Sequence, residues 1–554
     1  MSAINVCALP LFLLLGPLSA DPKDAPATVE KTPTGEVTID SGKVRGLIIG
    51  AKKDIESFKG IPYAAPPIGD LRWKAPQAPA KWDGVRDAFA FSAACPQQTP
   101  AMMKAIPQMA INPPYNEDCL YLNVWTPKKH GDKKLPVLYW IHGGGYTMGA
   151  ASQPLYDGEN LARLGCVVVS INYRLGPFGF LAHPALSKEN KENVSGNYGL
   201  LDQIEGLRWV KRNIASFGGD PNHVMIFGES AGGGSVLALM CSPLAKGLFQ
   251  SAVAQSAPEM NIGMLRKERE GRPSAETEGT ALIEKCGLTS SATAAEMRKL
   301  DADFLVKTFP ALEVDKNHDL NLKGLPLPIG PIVDGYVIPG EPNLIFAAGK
   351  ENPVPMIIGN TKDEMAMFLM GTQTPKEPAE YVKELKEDYG DLADALAKAY
   401  PATNGKEIRA AITELVGDAM FVSQARYGAR LHAANGNKSY RYEFARGSKQ
   451  GILKAMGAHH GAEVAYVFQI PSQPDDTDKE IARVIGQYWI NLAATGDPNG
   501  EGLPKWPSYT VDSDEVVRFN DKVEALKQHR KEKLDILDQN LRAKPKSEGQ
   551  AKGN

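Results

Sequence analysis

A chain of 554 residues with 62 basic and 65 acidic side chains carries a net charge of −3, and 43% of its residues are apolar. Charge so evenly balanced offers no footprint for a nucleic acid or another polyanion. The length exceeds a single ordinary core, and the order of the elements favours one large α/β unit with insertions over a string of small domains.

The first twenty residues stand apart. Ala8 to Leu15 is an apolar stretch closed by Pro17-Leu18-Ser19-Ala20, with polar Asp21-Pro22-Lys23-Asp24 behind it. Too short to span a bilayer, residues 1–20 read as a secretory signal cut after Ala20; no Lys or Arg precedes the apolar stretch, which leaves an uncleaved anchor as the alternative. No other long uncharged apolar run occurs, so no membrane span is expected and the mature protein is expected to be secreted or periplasmic. Without Cys7 the chain keeps Cys95, Cys119, Cys166, Cys241 and Cys286, an odd number that leaves at least one thiol free. Cys166, leading into Val167-Val168-Val169, reads as a small buried apolar residue.

A linker over residues 21–35 leads to Val37–Val44, whose alternation around a turn predicts a hairpin. Pro62, Pro66 and Pro67 argue against regular structure from Phe58 onward. Between Cys95 and Cys119, Met102, Met103 and Met109 sit among prolines without periodicity, which predicts a loop tied at its base. Its flexible thioethers suit a cover over a substrate entrance and plain inward packing equally. Tyr121–Trp125 and Leu135–Ile141 read as strands, and the second runs into His142-Gly143-Gly144-Gly145-Tyr146. Successive glycines lose much backbone entropy on folding, and a loop that keeps them lets something approach the main chain closely. In a serine hydrolase that is a tetrahedral oxyanion, which needs N–H donors about 2.7–3.1 Å away.

Val167 to Asn172 predicts another buried strand, and Leu200, Leu201, Ile204, Leu207 and Ile214 recur at helical spacing. The strongest signal follows. Val224-Met225-Ile226-Phe227 is a short buried strand that turns through Gly228-Glu229-Ser230-Ala231-Gly232 into an apolar helical run, Val236 to Met240. A G-x-S-x-G between strand and helix is a nucleophile elbow, which pushes the serine hydroxyl out at a helix N-terminus where negative charge is favoured. Strand, helix, strand, elbow, helix in this order predicts an α/β fold with a mostly parallel sheet.

The middle, from Pro258 to Gly340, shows no clean period. Val354–Gly359 reads as a strand that delivers Asn360-Thr361-Lys362-Asp363-Glu364, and Tyr440–Phe444 as a later one, followed by His459-His460 in a loop flanked by Gly and Ala. Ile481 to Leu492 predicts an amphipathic helix stopped at Gly496. Beyond Asn520 the chain becomes rich in Lys, Glu and Gln, which predicts a solvated or disordered tail over 521–554.

A serine hydroxyl needs a base oriented by a third group. Behind an elbow the order is acid, then histidine, so the candidates are His318, His432 and the pair His459-His460, with His318 in a polar loop and His432 in a helical segment. Asp363 and Glu364 are adjacent, and spacing alone does not separate them. No Cys/His clustering suited to a metal occurs, and no metal or cofactor is expected.

The sequence resembles the type-B carboxylesterases, of the carboxylesterase/cholinesterase/lipase family in the α/β-hydrolase superfamily. The resemblance runs from about Val37 to Tyr509 through FKGIPYAAPPIGDLRW (Phe58 to Trp73), NEDCLYLNVW (Asn116 to Trp125), IHGGGY, SINYRLGPFGFL (Ser170 to Leu181), NYGLLDQ, FGGDP, GESAGG, NTKDE, HGAEV and TGDPNG. It implies an α/β-hydrolase fold over residues 36–520, Ser230 as nucleophile, Glu364 as the acid and His460 as the base, and the N–H groups of Gly144, Gly145 and Ala231 as oxyanion donors. It also implies a disulfide between Cys95 and Cys119. The partner of a second family disulfide is missing for Cys286, and Met109-Ala110-Ile111-Asn112 lacks the tryptophan that stacks on quaternary ammonium in cholinesterases. The expected activity is a serine carboxylesterase for small, neutral, apolar esters; a lipase acting at an oil interface and a non-catalytic relative of the same fold are the alternatives.

Overall fold

The computed structural model describes residues 32–542 except 101–105, 112–113, 130, 132, 259–261, 270–271, 310–328, 371 and 450. The signal over 1–20, the linker up to residue 31, Met102, Met103, Asn112, His318 and the chain beyond 542 lie outside the described residues.

Thirteen strands form one sheet. They are β1 (Thr32–Ile39), β2 (Gly42–Ile49), β3 (Ile55–Pro62), β4 (Val85–Asp87), β5 (Tyr121–Pro127), β6 (Leu135–Ile141) and β7 (Val167–Ile171). The later six are β8 (Gly219–Glu229), β9 (Ser251–Gln255), β10 (Met356–Thr361), β11 (Ser439–Phe444), β12 (Glu515–Phe519) and β13 (Val523–Lys527). The order across the sheet is β1-β2-β3-β5-β7-β6-β8-β9-β10-β11-β12-β13, with β4 beside β2. From β7 to β12 every pairing is parallel, whereas the path from β1 to β7 and the β12–β13 edge are antiparallel, and β4 pairs with β2 in parallel.

Parallel strands buried on both faces are apolar throughout, and β6 shows the consequence. Val137, Tyr139 and Ile141 point into one core while Leu138 and Trp140 enter the other, and none of the five is solvent-exposed. Helices α1 (Tyr198–Asn213) and α2 (Ala231–Cys241) cover the first face through Leu200, Ile204, Val236 and Leu239. Helix α3 (Gly405–Gly417) buries Ile408 and Ile412 in a separate cluster, α4 (Ser423–Ala434) reaches the first core through Ala425 and Ala429, and α5 (Asp476–Thr495) covers the second face with Ile481, Ile485 and Trp489. A capping box at Asp475 and Asp478 starts α5, and Gly496 in the left-handed region stops it, as the sequence predicts.

Two expectations need correction. The proline-rich stretch does not exclude regular structure: Phe58 and Ile61 lie in β3, fully buried, and Pro62 takes its last position. Over residues 521–542 the charged stretch is not a solvated tail. It supplies β13 and α6 (Lys531–Arg542), which buries Leu534 and Leu537 in a third apolar cluster with Leu385, Leu396, Tyr400 and Leu415. Composition misleads here because the ionic groups meet opposite charge, Arg426 with Asp514 and Asp538, and Arg530 with Asp418 and Glu443. The described fold therefore includes β1, whose first residues fall inside the expected 21–35 linker, and runs on through α6.

Cys95 and Cys119 are both buried free thiols in the structure. They touch: a hydrogen bond with the Cys95 side chain and burial raise the Cys119 thiol well above its ordinary value, and the Leu175 N–H donates to Cys95 Sγ at 3.3 Å. Packing thus brings the two sulfurs together without joining them, because the bond itself needs an oxidant. Cys166, Cys241 and Cys286 are also free and buried.

Because Leu534 has no exposed surface, Leu534→Ala should lower the unfolding free energy by about 2–5 kcal/mol in a denaturant titration. A change of under about 0.5 kcal/mol, the ordinary range for a surface site, would mean that α6 is not docked.

Candidate active site

β6, β8, β9, β10 and β11 are parallel neighbours, so their carboxyl ends release loops along one edge, the place where open α/β sheets bind ligands. Ser230 follows β8 directly, with φ 57° and ψ −124°, a conformation sparsely populated by residues other than glycine. Packing leaves the turn no alternative. A Cβ on Gly228 would lie 2.6 Å from the Gly232 backbone, and one on Gly232 would lie 2.0 Å from the Ile141 carbonyl oxygen. The Ser230 N–H donates to the Gln255 carbonyl at 2.9 Å, fastening the turn to β9.

The glycine loop after β6 stands against this elbow. A Cβ on Gly143 would lie 2.7 Å from the Glu229 carbonyl oxygen and 3.1 Å from the Ser230 Cβ, which only glycine allows. Gly144 and Gly145 follow with φ 111° and 60°. Gln97 secures the far end of the loop, accepting from the Gly149 N–H at 2.7 Å and donating to the Gly149 carbonyl at 3.0 Å. Ala231 is the first residue of α2, so its N–H belongs to the helix end that lacks intrahelical acceptors. The Gly144–Gly145 loop and the first turn of α2 therefore flank the Ser230 side chain.

Glu364 lies in the loop after β10, and His460 in the loop after β11. His460 Nδ1 and Glu364 Oε2 are 2.5 Å apart, a charge-assisted hydrogen bond. The other carboxylate oxygen of Glu364 accepts from the Ser256 hydroxyl and the Thr361 N–H, both at 2.6 Å, so the acid cannot rotate. Asp363 does something else: its carboxylate accepts from the Ala458 N–H at 2.9 Å and pins the loop in front of the histidines. His459 turns its Nδ1 toward the His460 carbonyl, and His432 is buried elsewhere against Glu351 and Val354. The structure thus joins the acid to the base. It does not join His460 to Ser230: among the described residues His460 Nε2 has no hydrogen-bond partner, and Glu229 Oε1, from the residue preceding Ser230, lies 3.1 Å away.

The charges around His460 are unusual. Burial would lower its imidazole, but Glu229 and Glu364 push it up to about 9. Burial pushes the Glu229 carboxyl up to about 7 and that of Glu463 up to about 8. Glu463 receives the Tyr442 hydroxyl at 3.1 Å and the Gln255 side chain at 3.3 Å. Carboxyls and imidazole therefore share protons around neutral pH. Phe421 and Phe368 pack on the imidazole with ring centroids 4.9 and 5.2 Å away.

Glu229 and Glu463 are partners that the sequence reading passed over, although both stand inside motifs it quotes. Ser256, Gln97 and the two phenylalanines carry no sequence signal of their own. Among the described residues no group of His, Cys, Asp or Glu could hold a metal ion, and no helix is long and apolar enough to cross a membrane.

The carboxylesterase family model matches residues 33–537, and the chain belongs to that family. It is 36% identical to the fumonisin B1 esterase of Sphingopyxis macrogoltabida, with 86% of each chain covered. It is 35% identical to the para-nitrobenzyl esterase of Bacillus subtilis (strain 168), over 88% of this chain and 95% of that one, and 34% identical to the liver carboxylesterase of Sus scrofa, over 87% and 89%. A solved PNB esterase structure superposes with a TM-score of 0.76 at 32% identity, covering 91% of this chain and 99% of its own. The central, mostly parallel sheet with helices on both faces is accordingly an α/β-hydrolase fold.

Removing the carboxylate that faces Nε2 takes away a group that raises the imidazole, so Glu229→Gln should move the His460 titration down from about 9 toward the ordinary value near 6.5. Histidine NMR reads this directly, and an unmoved titration would mean that Glu229 does not act on the ring.

Proposed function

We propose that this carboxylesterase-family chain hydrolyses neutral, fairly apolar carboxylic esters through an acyl-enzyme formed on Ser230. The observation that carries the reading is the 2.5 Å contact of Glu364 with His460 at the sheet edge where the strained elbow displays Ser230. In the proposed reaction His460 Nε2 takes the hydroxyl proton as Ser230 Oγ attacks the ester carbonyl, and Glu364 stabilises the imidazolium through Nδ1. The N–H groups of Gly144, Gly145 and Ala231 receive the oxyanion, each such donor being worth roughly a hundredfold or more in rate. The imidazolium then returns the proton to the leaving alcohol, and water repeats the sequence on the acyl group. The hydrogen bond between hydroxyl and Nε2 that is absent at rest forms when substrate displaces the local contacts, a tightening common in serine and other acid–base sites.

Phe368 and Phe421 beside the base support an apolar substrate, because an ionised acyl group placed against them would lose its hydration without a partner. That the fumonisin B1, para-nitrobenzyl and liver relatives are esterases supports the reaction class. We also propose that residues 1–20 direct export and that an oxidising compartment joins Cys95 to Cys119, already in contact. Closing a loop of this size contributes about 3 kcal/mol in the chain-entropy account.

Three outcomes test these statements. Ser230→Ala should abolish turnover of p-nitrophenyl esters and labelling by a fluorophosphonate while circular dichroism stays unchanged; retained labelling would mean a different nucleophile. Neutral His460 is the active form and its pKa is raised, so kcat/KM should climb with pH along a limb centred above about 6.5. A flat profile down to about pH 4 would contradict the base assignment. Thiol titration of the denatured, exported enzyme should count three of the five cysteines Cys95, Cys119, Cys166, Cys241 and Cys286 as free, and a count of five would rule out the bridge.

A further inference from the structure

The C-terminal segment closes onto the neighbourhood of His460 from behind. α3 and α4 make one helical rod that is broken at Asp418–Val422 by a π-turn. A π-turn widens the hydrogen-bond ladder and redirects the side chains after it, and such turns concentrate at functional sites. This one carries Phe421, whose ring lies 4.9 Å from that of His460 and inclined by 48°. It also abuts the acid loop, where a Cβ on Gly417 would come within 3.4 Å of the Glu364 Cβ.

The π-turn begins at Asp418, a carboxylate only 1% exposed. Arg530 Nη1 donates to its Oδ1 at 2.5 Å, and the Tyr400 hydroxyl to its Oδ2 at 2.9 Å. Arg530 is not casually placed. Its backbone and that of Gln528 are held in the left-handed region, with φ 56° and 51°, a conformation that persists for such residues only when surrounding contacts over-determine it. Those contacts include Glu443, whose Oε2 is 3.4 Å from Arg530 Nη2 and 3.1 Å from His529 Nε2. Lys533, one turn into α6, holds Glu414 of α3 at 2.6 Å.

We propose that Arg530 is a positioning residue for ester hydrolysis: its ion pair with Asp418 locks the π-turn that presses Phe421 onto the His460 imidazole, so the C-terminal segment sets the aim of the catalytic base. The physical need is plain. The Cβ–Cγ bond and the Glu364 contact restrain the ring at two points, but χ1 and χ2 adjusted together still allow a rotation that swings Nε2, and Nε2 must reach the Ser230 hydroxyl. Phe421 and Phe368 against the imidazole remove that rotation. Without Arg530 the buried Asp418 keeps only the Tyr400 hydroxyl among its two recorded donors, the π-turn relaxes toward a regular ladder, and Phe421 leaves the ring.

The inference rests on His460 being the base, and the experiment separates the two. Arg530→Met, Arg530→Lys, Phe421→Leu and His460→Ala are made in the full-length enzyme. Active sites are counted by fluorophosphonate titration run to completion, so unfolded protein drops out of the rates. Arg530→Met should lower kcat per titrated site about tenfold with KM within twofold of the parent. Arg530→Lys should recover most of that loss, because a cation still reaches Asp418, whereas a role in stability alone leaves turnover per folded site unchanged. If Arg530→Met does not fold, Phe421→Leu carries the test, with the same fall in kcat expected. Per-site kcat within twofold of the parent for either variant, alongside a His460→Ala enzyme that is dead, overturns the positioning role and leaves the base assignment standing. Turnover retained by His460→Ala overturns both.

Discussion

A serine held at φ 57° between a strand and a helix is a costly arrangement, and the structure around it is largely what that cost requires. β8 pairs with β6 so that Gly228 lies opposite Ile141, and the Ile141 carbonyl then fills the space a side chain on Gly232 would need. The same register sets the loop after Ile141 against the elbow, with Gly143 in contact. Ser230 therefore could not keep its conformation without bringing the glycine loop to its side. Strain at Ser230 and placement of the candidate oxyanion donors are one consequence of one strand pairing.

The next two strands along the sheet bring the acid and the base by the same logic. β10 pairs in parallel with β9 and β11, with Gly359 opposite Gln255 and Thr361 opposite Phe444, so the loops that follow emerge side by side. Glu364 is tied down through Ser256 and Thr361, and His460 through Glu364. The imidazole edge left open by these contacts faces Glu229. Around it sit more carboxyls than a serine mechanism needs, and burial keeps Glu229 and Glu463 near the point of taking up a proton. A site built so responds to pH through the whole cluster and not through one histidine.

Much of this was legible in the chain because the strongest signals are local. A strand of four apolar residues ending in Gly-x-Ser-x-Gly needs its glycines wherever it occurs, and the buried strands of a parallel sheet announce themselves as unbroken apolar runs. Gly496 and the helix it ends obey local rules as well. The failures share a different cause, in that each depends on a partner far away in sequence. Asp363 and Glu364 are indistinguishable as neighbours; only the position of His460, 96 residues on from Glu364, tells them apart. The Phe58 to Pro62 stretch becomes a strand because β5 lies beside it, and the charged C-terminal segment folds because Arg426, Asp418 and Glu443 wait for it. Cys95 and Cys119 meet through packing, whereas their oxidation state belongs to the surroundings.

The central claim is spatial: one bound tetrahedral centre must be reachable at once by the Ser230 oxygen, by backbone amides on two loops and by the free nitrogen of His460. A crystal structure of the fluorophosphonate adduct tests it in a single experiment. It should show phosphorus bonded to Ser230 Oγ, a phosphoryl oxygen about 2.7–3.1 Å from the amide nitrogens of Gly144, Gly145 and Ala231, and His460 Nε2 turned toward the adduct. Phosphorus on another side chain, or a phosphoryl oxygen directed away from those amides, would contradict it.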